Sequence, residues 1–322
     1  MNVKKIPYLV PLLIVENLIT LLVGMPNSFK SWVLAALAIA AAKGDLLFDA
    51  FQCERFDRII YIDADSPQYI YERRLEALAS SAIPDSIDQR CITGFTLRDD
   101  KQLGALLQEI ESMANQGQKV LVLLDSLTKI TAGWNVDRTD YATRAMERIA
   151  QIRDAGATVV VAHHSSIHRQ GRIPMNNTQI LAGVDSTLFI EKIHLPNRHV
   201  FHLTPEPKRA PLTEAFSVEL TSKPDLEWAI MTKIDEMPVI PTEDEKIIFG
   251  LFPDSTTEWT VREISDSTGR DLPDSIIRKV LLKLVNQRCL KRFTNPKDRA
   301  HALHYQRHPD FANLDSEYKK LL

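Results

Sequence analysis

Gly24-Met25-Pro26-Asn27-Ser28-Phe29-Lys30-Ser31 decides the fold. It follows the apolar run Leu18–Val23 and opens an alanine- and leucine-rich stretch, Lys30–Lys43, that reads as a helix ending at Gly44. Strand, turn and a helix starting at a Lys-Ser pair is the context of a phosphate-binding loop. Its main-chain N–H groups are expected to wrap a β-phosphate, aided by the positive end of the helix. Lys30 is then expected to bridge the β- and γ-phosphates, with the Ser31 hydroxyl on Mg²⁺. The candidate nucleotide-binding residues are Gly24, Met25, Pro26, Asn27, Ser28, Phe29, Lys30, Ser31 and Trp32. Phe29 stands where the pattern has its second glycine, so its side chain must point away from the nucleotide. The bland alternative is a chance strand–turn–helix carrying a lysine.

Two further strands supply carboxylates. Lys119–Asp125 is an apolar run ending in Asp125, placed to hold a Mg²⁺ opposite Ser31. Arg58–Asp63 ends in Asp63-Ala64-Asp65 before Ser66-Pro67. Asp65 is the first candidate to polarise an attacking water and Asp63 the second; alternatively Asp65 only caps the following helix. Thr158–His163 ends in the pair His163-His164, which reads as a γ-phosphate sensor or as a solvated turn.

These strands, with Arg90–Gly94, alternate with the helical stretches 67–81, 101–116 and 141–155, and the rhythm predicts βαβ units in an open, mostly parallel α/β sheet. Ser66-Pro67 is the expected cap and first turn of the second helix. Beyond Gly183, shorter runs over 187–194, 198–205 and 216–220 predict antiparallel hairpins extending the sheet. The domains expected are an ATPase core over 1–222, a linker over 223–241, a small domain over 242–310 and a tail over 311–322.

With 322 residues, 44% of them apolar, the chain is long enough for a full core and a second domain, while its net charge of −3 excludes a generally basic nucleic-acid coat. Cys53, Cys91 and Cys289 lie far apart, which fits free thiols in a reducing cytoplasm. His163, His164 and His168 lack a carboxylate or cysteine to complete a metal site. Pro7, Pro11 and Glu16 break the first apolar run, which reads as a lead-in strand rather than a secretory signal. No apolar stretch reaches the roughly 20 residues of a membrane helix.

In their order, the Lys30-Ser31 loop, Tyr-Ile-Asp-Ala-Asp-Ser-Pro with a following Arg-Arg-Leu, Leu-Leu-Asp-Ser and Val-Ala-His-His resemble the RecA-like P-loop ATPases. Among them the chain is similar to the plasmid RepA-type hexameric replicative helicases and related AAA ATPases of phages and plasmids, over about 15–222. The resemblance implies a hexameric ring that hydrolyses ATP at subunit interfaces and draws single-stranded DNA through its centre. Residue by residue it implies Lys30 and Ser31 for phosphate and magnesium, Asp125 for the metal, and His163 or His164 as sensor. Asp65 stands where such proteins usually carry Glu. Lys208 and Arg209 take the place of a basic pair reaching a neighbour's γ-phosphate, unless they form only a solvated turn. The stretch 165–177, with His168, Arg169 and Arg172, corresponds to a DNA-facing loop, although the family's Arg-Gly-Ser-Ser run is missing from it.

The C-terminal stretches 243–252, 261–268 and 273–286, followed by strands at 290–294 and 301–306, predict a winged helix. Arg278, Lys279 and Lys283 on its third helix, with Lys291, Arg292, Lys297 and Arg299 on the wing, form a candidate surface for forked or duplex DNA, or for a protein partner. The leading expectation is a DNA motor. A RecA-like ATP switch and a recombinase-like filament former are the alternatives.

Overall fold

A computed structural model describes residues 6–80, 82–90, 94–134, 138–165, 178–195, 198–223, 225–234, 243–254, 256–268, 273–286, 290–294 and 303–308. Contacts divide the chain into two units, 1–237 and 238–322.

The first unit opens with a small hairpin, β1 (Tyr8–Val10) and β2 (Ile14–Val15). The expected lead-in strand therefore turns back on itself and pairs in its own two-stranded sheet. Then come β3 (Ile19–Gly24), α1 (Lys30–Lys43), a short ribbon of β4 (Leu46–Leu47) with β5 (Phe51–Gln52), β6 (Arg58–Asp63) and α2 (Gln68–Ala79). They are followed by β7 (Ile87–Arg90), α3 (Asp100–Asn115), β8 (Val120–Asp125), α4 (Leu127–Ile130), α5 (Thr139–Asp154), β9 (Ala157–His164) and α6 (Thr178–Ala182). The unit closes with β10 (Ser186–Leu195), β11 (Arg198–Pro207), β12 (Phe216–Ser222) and β13 (Ala229–Ile234).

Nine strands form one sheet in the order β13-β12-β11-β10-β3-β9-β8-β6-β7. From β10 to β7 every pairing is parallel, and β11, β12 and β13 continue it antiparallel. The parallel strands read as unbroken apolar runs because both faces are covered. Leu22, Tyr61, Leu123 and Ala162 pack on one face with α1 and α2. Leu21, Val23, Leu124 and Val161 pack on the other with α3 and α5. α1 is apolar nearly all round and correspondingly buried, which makes the helix behind the phosphate loop part of the core.

Several boundaries moved for identifiable reasons. The edge strand is Ile87–Arg90, earlier than the expected 90–94; it contains a single apolar residue, and alternation gave no signal there. β13 lies within the stretch that reads as linker, and pairs along all six of its residues with β12. Ser66 does not cap α2. Pro67 holds the cap position, and Asp63 Oδ1 accepts the N–H groups of Asp65 (2.9 Å) and Ser66 (2.8 Å) instead. Gly44 does end α1, in left-handed conformation (φ 72°), its N–H donating to Ala40 O at 2.8 Å.

The second unit contains α7 (Glu243–Gly250), β14 (Glu258–Thr260), α8 (Val261–Ser267), α9 (Asp274–Asn286), β15 (Leu290–Thr294) and β16 (Leu303–Arg307). Its strands pair antiparallel in the order β14-β16-β15, with β14 absent from the sequence reading because it has only three residues. Ile248, Phe252, Ile264, Ile277, Leu281 and Leu284 form a core of its own. Thr260 caps α8 in a reciprocal capping box with Glu263.

Gly156 joins α5 to β9 at φ 112°, and a Cβ there would lie 2.6 Å from Ala114 Cβ. The substitution Gly156→Ala combines a disfavoured backbone with that clash. It is expected to lower the stability of the first unit by about 2 kcal/mol, read as an earlier denaturant midpoint.

Candidate active site

β3 delivers the chain to the loop at Gly24. A Cβ at this position would meet Ile190 Cγ2, Ile190 O and Ser28 Oγ, each at 2.5 Å, so only glycine lets the loop lie against β10. Two later residues take left-handed conformations: Asn27 (φ 62°), for which this is common, and Phe29 (φ 70°, ψ 14°), for which it is strained by about 1–2 kcal/mol. Phe29 supplies the turn that a glycine would supply. Its ring packs against Phe201 (centroids 5.6 Å apart) and His199 (5.8 Å), under the Lys192 ammonium at 5.4 Å. The ring thus leans toward β10 and β11.

Lys30 is buried, and its Nζ donates to Met25 O at 2.8 Å and Gly24 O at 3.0 Å. Burial lowers its ammonium to about 8, against the attraction of Asp125 and Asp65. Asp125 ends β8 with 3% exposure, opposite Asp63 in the register of β6. Burial, then the like charge of Asp63, pushes the Asp125 carboxyl up to about 6, while a Ser31 hydrogen bond, Arg74 and Lys30 pull it down.

Ser31 and Asp125 therefore face the same cleft. Asp125 Oδ2 and Ser126 Oγ are buried with no hydrogen-bond partner. Unsatisfied hard oxygens beside a serine hydroxyl fit a Mg²⁺ ion, which takes such ligands and keeps several waters. Lys30, Ser31 and Asp125 line an open cleft of about 420 Å³ with Pro26, Asn27, Ser28, Phe29, Trp32, Asp65, Arg74, His164, Lys192 and His199.

The two candidate bases separate. Asp63 is fully buried and its Oδ1 is committed to the turn of Asp65 and Ser66. Asp65 lines the cleft, and Lys129 Nζ lies 3.1 Å from its Oδ1. The two histidines separate as well. His164 has the parity of Val160 and Ala162, which face α1, and it lines the cleft; burial and then Lys30 lower its pKa. His163 has the parity of Val159 and Val161 on the opposite face and is 1% exposed. Of the pair, the cleft receives His164.

Arg74 is the cleft residue that sequence reading left without a role. It lies on α2 beside the buried Tyr71 and Leu75, with Nη1 3.8 Å from Asp63 Oδ2 and its guanidinium 5.6 Å from the Trp32 ring. That Nη1 is buried with no hydrogen-bond partner. An arginine on the core-facing stripe of an amphipathic helix was the available signal. Trp32, expected at the nucleotide, carries this guanidinium. Lys129, Lys192 and His199 had no local signal, because only the sheet order brings them to the loop.

Lys208 and Arg209 are not brought to this cleft. β10 meets β3 from Ser186–Thr20 to Ile190–Gly24, and β11 returns to place Pro207 opposite Ser186. The basic pair thus leaves the sheet at the end away from the loop, about 13 Å distant along the strands. There Lys208 Nζ donates to the carbonyls of Leu181 and Val184, and Arg209 Nε lies 2.8 Å from Asp185 Oδ1. Asp185 is buried, and its Oδ2 accepts the Ile19 N–H at 2.8 Å. His168, Arg169 and Arg172 lie outside the described residues, as do Lys297, Arg299, Cys91, Cys289 and the Lys283 side chain. Cys53 is buried and free, and burial pushes its thiol up to about 12. Among the described residues there is no metal-binding cluster of His, Cys, Asp and Glu, and no helix long and apolar enough to cross a membrane.

A central strand ending in a Lys-Ser loop, with two parallel strand ends presenting carboxylates to it, defines a RecA-like P-loop ATPase. The chain belongs to the AAA domain family (AAA_25), whose pattern matches residues 4–170, just over half its length. Among solved structures it is similar to a KaiC-like protein of the hyperthermophilic archaeon Pyrococcus horikoshii OT3, at 10% identity over 71% of this chain and 99% of that one, with a TM-score of 0.48. No curated protein matches the chain.

Productive binding needs Asp125 charged and Lys30 protonated. The first condition fails as pH falls through about 6 and the second as pH rises through about 8. A profile of kcat/KM for ATP hydrolysis, which reports the free enzyme, is expected to be bell-shaped with limbs near those values. Asp125→Asn is expected to remove the acid limb along with most of the activity.

Proposed function

We propose that the chain is an oligomeric, Mg²⁺-dependent ATPase that moves or loads single-stranded or forked DNA, in the manner of the RepA-type ring helicases it resembles. The observation that carries this reading is the placement of its two basic elements. Lys30 sits at the carboxyl end of the parallel strands, and Lys208-Arg209 leaves the sheet at the other end. Fingers so placed serve a γ-phosphate only in a neighbouring copy. A site at one end and its completing residues at the other is a heterologous interface, which forms a ring where its rotation closes and a filament where it does not.

In the reaction, Lys30 and the loop amides hold the phosphates in line, and Ser31 and Asp125 would hold a Mg²⁺, which would supply charge neutralisation at the terminal phosphates. Asp65 takes a proton from the attacking water as the bond from the γ-phosphorus to the bridging oxygen breaks. His164 senses the γ-phosphate. Lys208 and Arg209 act on the neighbour's.

Three helices with a three-stranded antiparallel sheet support a winged-helix reading of the second unit. Arg278 and Lys279 on α9 and Lys291 and Arg292 on β15 are exposed there, and would track phosphates. A second reading, a slow ATP switch without motor action, is favoured by the Asp65–Lys129 ion pair, which holds the candidate base to a lysine of its own chain.

Particle size measured with and without ATP, and turnover measured with and without single-stranded DNA, test the motor. A nucleotide-dependent ring with stimulated turnover is expected, whereas a monomer whose slow turnover ignores DNA would leave the switch. Arg209→Ala is expected to abolish turnover and spare ATP binding; undiminished hydrolysis would remove the finger assignment. For the switch, Lys129→Ala is expected to raise turnover severalfold.

A further inference from the structure

We propose that the nucleoside end of the nucleotide binds against a wall built by His199, Lys192 and Phe29, and that this wall recognises a base by its ring face rather than by its hydrogen-bonding edge. This inference rests on the phosphate-loop reading of the same cleft and adds the base-specificity determinants.

Ser31 and Asp125, which line the cleft together, set the direction of the bound molecule. A cation held there draws the terminal phosphates toward β8, two strands and about 10 Å from β3 on one side. The chain of phosphates then leads the nucleoside toward the other side, where β10 and β11 stand one and two strands from β3. On the face covered by α1, alternation presents Ile190 and Lys192 from β10, and His199 and Phe201 from β11. Phe201 is buried, whereas His199 is exposed at the rim of the cleft.

Phe29 is the positioning residue of this wall. Its ring fills the space between the loop and the hairpin, packed on Phe201 from behind and touching His199 and Lys192 at their ring and ammonium. A glycine at this position would satisfy the left-handed turn without strain but would leave the imidazole and ammonium unsupported. A strained residue that packs on the cleft wall points to a role for its side chain. Among the described residues, the wall's own side chains are an imidazole, an ammonium and a phenyl ring, with no carboxamide or carboxylate, and the cleft's carboxamide, Asn27, belongs to the phosphate loop. Stacking is sequence-tolerant because every base has a π-face. Purines, with the larger ring system, gain most, so ATP and GTP are expected to serve alike.

Calorimetric titration in the presence of Mg²⁺ with ATP, GTP, CTP and inorganic tripolyphosphate tests the assignment. ATP and GTP are expected to bind the wild-type protein within about threefold of each other, and CTP more weakly. His199→Ala is expected to weaken ATP and GTP about tenfold while leaving tripolyphosphate unchanged, and His199→Phe to retain the wild-type affinity. Circular dichroism of each variant checks that the fold is kept. A parallel loss of tripolyphosphate would mean that the wall holds phosphate, and a preference for ATP over GTP beyond a hundredfold would mean edge readout. Either outcome overturns the proposal, as does unchanged ATP affinity in His199→Ala. Absence of tripolyphosphate and nucleotide binding by the wild type would instead remove the phosphate-loop reading, and this proposal with it.

Discussion

Asp125 is asked to remain charged where charge is least welcome. It is almost fully buried, it faces the carboxylate of Asp63 across the sheet, and both effects favour its protonated form. What keeps it ionised is the Ser31 hydroxyl, then the guanidinium of Arg74 and the ammonium of Lys30. The surrounding architecture follows from that balance. α1 has to bring Ser31 to the end of β8, α2 has to turn an arginine inward, and Asp63 has to be occupied by the amides of its own turn. Ser31 and Arg74 are each both a structural partner and a member of the cleft.

The phosphate loop shows the same economy. Position 24, where a backbone crosses closely, is glycine, and position 29, where the conformation also favours glycine, is phenylalanine. The strain at Phe29 is sustained by ring packing against β11. The loop is consequently tied to the antiparallel half of the sheet as well as to the parallel half. A side chain lying over β10 and β11 makes the hairpin part of the nucleotide cleft.

The parallel core was legible because strands covered on both faces are written as continuous apolar runs, and the loop because it sits between such a run and a helix. Hidden features depend on pairing rather than on local pattern. Ala229–Ile234 carries mixed residues and becomes a strand because β12 offers it an edge. Which of His163 and His164 enters the cleft is a matter of parity, fixed once the register with β3 is known. Lys129, Lys192 and His199 come from distant segments, and nothing near them in sequence announces a phosphate. Arg74 was the one omission with a visible cue, a charge on the inward stripe of α2.

Asp185 holds two things at once: with one oxygen the basic turn at Arg209, with the other the first amide of β3. β3 is stiff, buried and hydrogen-bonded on both sides along its length, and its far end is the phosphate loop. A tug on the turn is thus delivered through a single carboxylate to a rod that ends at the nucleotide. In the proposed assembly, tension between copies of the chain would have a direct load path into the cleft, with no hinge along the rod to dissipate it.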